Sequence, residues 1–475
     1  MTTRDKTYLF YDLETTGVNP CFDQILQFAA VRTDQELNEL ERYEFLVKIN
    51  PDIIPTAQAA ITHHITIEQA STGISEYEAV KKIYQLVNTP NTMSVGYNTL
   101  SFDDKFLRFS FFRNLLPPYN HQYKEGCSRF DLYPFVVLYH LFSKETLNWP
   151  VNNKGLLSLK LEDLNAKNSL YSEGRAHDAV SDVLATLALA RILKAKNLKM
   201  WQYLLLRFNK TEDKETLSLL DTGINIDNNN YTQGLMVAGH FGHKDQFMVP
   251  GLNLGQHWHY KNQWCFLRLD TTKLQEITSE NIAKHVVTIN KKWGDLPLLL
   301  PTKKRFLKHL SDDRITCIKD TKVFLKTNPT FFLEIKHAVL DYKYPEIDNI
   351  DIDASLYQSG FMNYAEQNLC DVFHQSSVIQ KVNVIKKMPE SHYRRAVRVV
   401  GRIAPDALTE SMQFEFRSYL EKIKRYDNDK LIDYKGLTKV SIREVFHDIQ
   451  TLRLEGNLTL AQRKILDELE DYLSV

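Results

Sequence analysis

The chain has 475 residues, 43% of them hydrophobic and 11% aromatic, which exceeds one ordinary hydrophobic core and calls for two or three domains. Its 59 Lys/Arg balance 59 Asp/Glu, which argues against coating of nucleic acid or membrane by bulk charge but leaves room for a local basic track. No apolar run reaches the length of a membrane span, MTTRDKTYLF lacks a secretory signal, and five scattered cysteines form no CxxC pair, so the expectation is a reduced cytoplasmic protein with no membrane association.

In chain order, residues 8–12 and 25–33 are apolar, β-prone runs, and 45–49 predicts a third strand. Residues 93–97 predict another, followed by a helix over 105–114. The stretch 179–194, after the polar turn YSEGRAHD, predicts a strongly amphipathic helix. Strands alternating with helices indicate an α/β layer domain over residues 1–197. From 198 to about 345, Gly, Asn and His interrupt short aromatic runs, which suggests a small β-rich module, helical again over 315–343. The acidic stretch 344–355 reads as a linker, and the pattern from 356 onward is all-α. The expected division is therefore 1–197, 198–350 and 351–475. Net charge differs between these parts: −3, +4 and −1, with 11 basic against five acidic residues in 381–425.

The string YDLETTG (11–17) places Asp12 and Glu14 two residues apart at the end of the first predicted strand. A period of two sends both carboxylates to one face. Neighbouring like charges are costly unless a cation lies between them, and hard oxygen pairs suit Mg²⁺ or Mn²⁺. Such pairs also occur on strands that bind nothing. GYNTLSFDD (96–104) sets Asp103 at the start of a helix, where an aspartate equally serves as an N-cap, the role expected of Asp104. AHDAVSD (176–182) supplies His177 and Asp182. Five residues leave them about 140° apart on an ideal helix, so they share a site only if His177 belongs to the preceding loop.

The ordered set Asp12, Glu14, Asp103, His177 and Asp182 resembles the DEDDh class of 3′→5′ exonucleases. With LNWP (147–150), AGHFG (238–242), INK (289–291) and a helical end, the chain resembles over its whole length the bacterial exodeoxyribonuclease I family within that class. The resemblance implies an α/β fold: a ribonuclease-H-like exonuclease domain, then a small SH3-like β-barrel module and an all-α C-terminal domain. It implies removal of 5′-mononucleotides from the 3′ end of single-stranded DNA, in repair and recombination, by a monomer using two Mg²⁺ ions, for which Mn²⁺ can substitute. Asp12 is then the shared ligand, Glu14 and Asp182 complete one metal site, Asp103 holds the second ion, and His177 is the general base, its ordinary pKa of about 6.5 lying near neutrality.

Glu14, Arg108, Tyr119, Tyr123 and Lys160 match positions that contact the strand in that family. Aromatic loop residues also often only pack. Lys160 stands where the family pattern has arginine, which keeps the charge but loses the bidentate grip. Tyr203 matches a position that docks the acidic, hydrophobic tail of single-strand-binding protein. In the middle module, Trp258, Tyr260 and Trp264 among His240, His243, His257 and His259 read as a stacking surface or as a barrel core with exposed histidines, without zinc spacing. Lys291-Lys292 and Lys303-Lys304-Arg305 are candidate phosphate contacts. Arg394, Arg395, Arg398 and Arg402 are expected to line a track that retains DNA and raises processivity. An RNA-processing exonuclease of the same class and a non-catalytic binding protein remain the alternatives.

Overall fold

The computed structural model describes residues 6–171, 178–277, 282–424 and 431–474. The chain divides into two compact units, one of Met1–Arg129, Tyr171–Leu187 and Glu346–Val475, the other of Phe130–Leu170 and Ala188–Pro345.

The N-terminal part is mixed α/β. Strands β1 (Thr7–Thr15), β2 (Ile25–Thr33), β3 (Glu39–Leu46), β4 (Thr92–Gly96) and β5 (Ser128–Asp131) form a sheet in the order β3-β2-β1-β4-β5. The β1–β2 and β2–β3 pairs are antiparallel and β1–β4 is parallel. Every residue of β2 is buried, which is why ILQFAAVRT reads as a continuous run rather than an alternation. β3 starts six residues before the predicted strand, because ELERYEFL is a largely exposed edge whose charges hide its period.

Helix α1 (Glu76–Val87) begins with a reciprocal cap between Ser75 and Glu78. It and α2 (Asp103–Arg113) cover the sheet: Val80, Ile83, Phe106 and Phe111 share one core with Leu9, Tyr11, Leu13 and Phe28. Helix α3 (Ala179–Lys196) is not the one-sided amphipathic helix expected. Apart from its last turns it is buried almost all round, as its ATLALA stretch requires.

In the second unit, β6 (Asp221–Ile226), β7 (Asn229–Val237), β8 (Met248–Gln256), β9 (Gln263–Arg268), β10 (Thr288–Lys292) and β11 (Leu298–Pro301) form an antiparallel sheet ordered β10-β9-β8-β7-β11, with β6 also paired to β7. Among the described residues no pairing joins β10 to β11, so the sheet is open and the expected closed barrel is absent. One apolar face is instead covered by α4 (Asp312–Thr327) and α5 (Pro329–Leu340), whose Leu325, Phe332 and Ile335 pack on Ile224, Leu252 and Leu267.

The C-terminal region is helical, including α6 (Glu390–Ile403), α7 (Glu410–Lys424), α8 (Ile442–Glu455) and α9 (Leu460–Leu473). It packs into the first unit: Val445, Ile449, Leu466 and Leu469 meet Ile54, Ala57 and Ile61, while Phe373, Ile385 and Val400 meet Tyr77 and Leu115. The basic run on α6 faces inward, contrary to the expected DNA track. Arg398 binds Asp351 at 2.7 Å and Asp353 at 3.0 Å; Arg402 binds Asp52 at 2.6 Å and Asp353 at 3.0 Å. Arg395 is buried and donates to the Phe112 carbonyl at 2.7 Å. Of the four, Arg394 alone is exposed, beside Glu390. The spacing 395, 398, 402 puts three arginines on one helix face, and the supposed linker supplies Asp351 and Asp353 as counter-ions of Arg398 and Arg402. Burial alone would raise the Asp52 and Asp353 carboxyls, but Arg402 beside the first, and Arg398 and Arg402 beside the second, hold both below the usual carboxylate range.

The five cysteines are unpaired, four of them buried. Among the described residues no helix is long and apolar enough to cross a membrane.

Candidate active site

β1 alternates as its period demands. Tyr11 and Leu13 enter the core, and Asp12 and Glu14 share the other face, half-buried, opposite Ala29 and Gln27 of β2. Asp182, in the first turn of α3, joins them: one carboxylate oxygen from each of Asp12, Glu14 and Asp182 lies within 4.8 Å of the others.

The start of α3 is held by residues that the motif search missed. Asp178 accepts from the Ser181 N–H at 3.3 Å and its hydroxyl at 2.8 Å. Gln27 donates to Glu44 at 3.1 Å and to Asp178 at 3.4 Å, and accepts from the Ala179 N–H at 3.4 Å. Gln27 thus ties β2, beside Glu14, to the helix that carries Asp182. Its polarity within the apolar run 25–31 was the available signal.

Burial, followed by the charges of Asp103, Glu14, Asp182 and Asp178, pushes the Asp12 carboxyl well above its ordinary range. Burial, then Asp182, Asp103 and Asp178, pushes Glu14 up to about 9. Every named charge acting on this pair is another carboxylate. Such a donor set is unfavourable by itself and suited to a hard divalent cation, so the residues fit a metal of that kind. Asp103, buried at the first position of α2, is the strongest charged neighbour of Asp12 but stands outside the 4.8 Å group. His177 lies outside the described residues.

Asp104 is not the helix cap expected. Phe102 occupies the N-cap without a side-chain bond, and Asp104 is buried among Arg129 at 2.5 Å, Arg108 at 3.0 Å and His121 at 3.0 Å. Against burial, the Arg129 and Arg108 guanidinium groups, with a hydrogen bond from His121, hold its carboxyl well below the usual range. Adjacent aspartates therefore have opposite surroundings: Asp103 faces carboxylates and Asp104 faces cations.

Arg108 also lies over the Tyr119 ring, 5.9 Å from its centroid. Tyr123 is 68% exposed. In the second unit, Lys160 is exposed and paired with Glu162 at 2.9 Å, and the Tyr203 ring carries the Arg207 guanidinium at 5.0 Å. Trp258 packs edge-on against His337 and Trp264 against Trp293. Lys291 is not a surface phosphate contact. It is fully buried in an ion pair with Asp213 and donates to the Asp295 carbonyl. Lys303 is exposed, 3.5 Å from Asp221.

A strand-borne carboxylate cluster in an α/β layer suits metal-assisted hydrolysis, and the family model described as Exonuclease, which matches residues 9–190, gives the class of hydrolase. The chain is 31% identical over 396 residues to exodeoxyribonuclease I of Haemophilus influenzae, covering 77% of this chain and 79% of that protein. It is 28% identical over 389 residues to exodeoxyribonuclease I of Escherichia coli, covering 77% and 78%. The fold is shared with the crystal structure of E. coli exonuclease I in complex with a dA16 oligonucleotide (TM-score 0.83, 23% identity, 99% of both chains) and with exonuclease I from Methylocaldum szegediense (TM-score 0.83, 24% identity, 99% of both chains). The chain belongs to the exodeoxyribonuclease I family, and its activity is that of a 3′→5′ exonuclease of the DEDDh type, a hydrolase.

Proposed function

We propose that this exonuclease degrades single-stranded DNA from a free 3′ end, releasing 5′-mononucleotides, with two Mg²⁺ ions, or Mn²⁺ in their place, held by Asp12, Glu14, Asp103 and Asp182. The observation that carries the reading is the Asp12–Glu14–Asp182 cluster in a chain of this family. The similar E. coli enzyme is described in complex with dA16, and with single-stranded DNA in a zinc-bound form, which supports the same substrate and a divalent ion here. The ribonuclease-H-like character of the catalytic part belongs to the same reading.

Bound divalent ions would neutralise charge at phosphorus and favour ionisation of the attacking water. Asp12 is assigned as the shared ligand, Glu14 and Asp182 complete one set, and Asp103 serves the second. His177 takes the proton from the attacking water through a ring nitrogen. The water oxygen bonds to phosphorus as the bond to the 3′-oxygen breaks, and that oxygen leaves with a proton from solvent.

Arg108 and Lys160 meet phosphates, while Tyr119 and Tyr123 offer stacking faces worth roughly 1–3 kcal/mol per base. Tyr203 is assigned to the acidic, hydrophobic tail of single-strand-binding protein. In this reading residues 1–197 hold the chemistry, 198–350 are the β-rich module and 351–475 the helical region, and a cytoplasmic monomer acts in DNA repair and recombination. Matched 5′-labelled DNA and RNA oligonucleotides with free 3′ ends test the substrate. DNA should shorten from its 3′ end in Mg²⁺ and RNA should persist; equal digestion of both would contradict the assignment.

A further inference from the structure

The Asp104 side chain is 1% exposed, and three stretches of chain each send a donor to it. Arg108 comes from one turn further along α2, Arg129 from β5, and His121 from the short helical turn Asn120–Gln122. Arg108 is held twice: its Nε meets the Asp104 carboxylate at 3.0 Å and donates to the Asp104 carbonyl at 3.2 Å. Pinning an arginine at Nε, the inner nitrogen of a planar fork, fixes where the two outer nitrogens point. Here the guanidinium is laid against the Tyr119 ring.

The second tie acts on the turn. Tyr119 and Tyr123 flank Asn120–Gln122, and no side chain caps its start. The turn is held from inside instead. His121 is buried, donates to Asp104 at 3.0 Å and packs edge-on against Phe111 at 5.7 Å. Asn120 donates to the Tyr84 hydroxyl at 2.8 Å. One buried carboxylate therefore holds both the cation and the turn between the two tyrosines.

We infer that Asp104 is a positioning residue for the single strand: it presets Arg108 and the turn between Tyr119 and Tyr123 without touching the strand itself. The inference rests on the reading of Arg108, Tyr119 and Tyr123 as strand contacts. Ordering these groups in advance removes part of the entropy cost that binding would otherwise carry. The effect has a sign that sets it apart from charge alone. Removing a negative group beside a polyanion should tighten binding by Coulomb's law, whereas loss of positioning should weaken it.

Equilibrium binding of a labelled single-stranded oligonucleotide to the full chain, in EDTA and over a range of salt, tests it. Circular dichroism is the folding control. Asp104→Asn keeps the shape of the side chain and drops its charge. It should raise Kd roughly tenfold and flatten the slope of log K against log salt by about 0.7, the share of one phosphate contact on a single strand. Arg108→Ala should do the same, and the double variant should lose less than the product of the single losses. His121→Gln spares both arginine pairs and loosens only the turn, so Kd should rise roughly two- to fivefold with the salt slope unchanged. Wild-type or tighter binding by Asp104→Asn, or fully multiplicative losses in the double variant, overturns the inference. If Asp104→Asn fails the folding control, His121→Gln decides, and a wild-type Kd there overturns it. If Arg108→Ala weakens binding and Asp104→Asn does not, the inference falls and the strand-contact reading stands. If alanine at Arg108, Tyr119 and Tyr123 leaves Kd unchanged, both fall.

Discussion

Two carboxylate clusters in the first unit use the same side chain for opposite purposes. At the end of β1, Asp12, Glu14 and Asp182 gather with Asp103 and Asp178 as neighbours, and the named charges acting on Asp12 and Glu14 are all negative. Beneath α6, Asp52, Asp351 and Asp353 gather around Arg398 and Arg402. The first arrangement raises carboxyl pKa values and the second lowers them. A carboxylate cluster is thus read by what neutralises it. Where guanidinium groups neutralise the carboxylates, the cluster holds the fold together; where the named neighbours are other carboxylates, the cluster suits a divalent ion.

Substitutions should separate the two. Asp12→Ala or Asp182→Ala should lower the cleavage rate about a thousandfold or more, the equivalent of roughly 4 kcal/mol of lost charge stabilisation, measured as 3′ shortening of labelled single strands. The thermal midpoint of these variants should not fall, since each removes a like charge. Normal activity in either would break the distinction.

Deleting 356–475 removes Arg398 and Arg402 together with the core contacts of α8 and α9. The truncated chain should lose the cooperative unfolding of the first unit, seen by denaturant titration, rather than merely shorten its run along DNA. Arg402→Ala alone should cost about 3–5 kcal/mol, because it leaves Asp52 and Asp353 buried without their shared partner.

Acid pH should act on the same pairs. Asp52 and Asp353 have folded pKa values below their ordinary 3.8, so the stability they contribute is present above that pH and lost as pH falls below it. Stability measured from pH 6 down to pH 3 should fall less steeply in Arg402→Ala than in the wild type. The smallest effect is expected at Lys160. It is exposed and already paired with Glu162, so Lys160→Ala should weaken single-strand binding only about two- to fivefold, and less at high salt.

What could be read from sequence follows the same line. Asp12 and Glu14 were legible because a strand's period puts i and i+2 on one face, and the ordered motifs pointed to Asp103 and Asp182. Asp103 and Asp104 are neighbours of one residue type, and only Arg129 and His121, brought in from beyond the helix, separate their roles. The inward arginines were misread for a related reason: Asp52 lies 350 residues from Arg402. Gln27 acts through a helix that sequence places far away. In the middle sheet, which strands pair and which face α4 and α5 cover are likewise choices that strand patterns do not record.

The central claim is that the carboxylates gathered around Asp12, Glu14 and Asp182 make a divalent-ion site for 3′-end hydrolysis. A time course on 5′-labelled single-stranded and duplex DNA, in Mg²⁺ and in EDTA, with wild type beside Asp182→Ala, tests it most directly. The account predicts a ladder shortening from the 3′ end on single strands only, present in Mg²⁺, abolished by EDTA and absent in the variant. A ladder that persists in EDTA, or in Asp182→Ala with Mg²⁺, would contradict it.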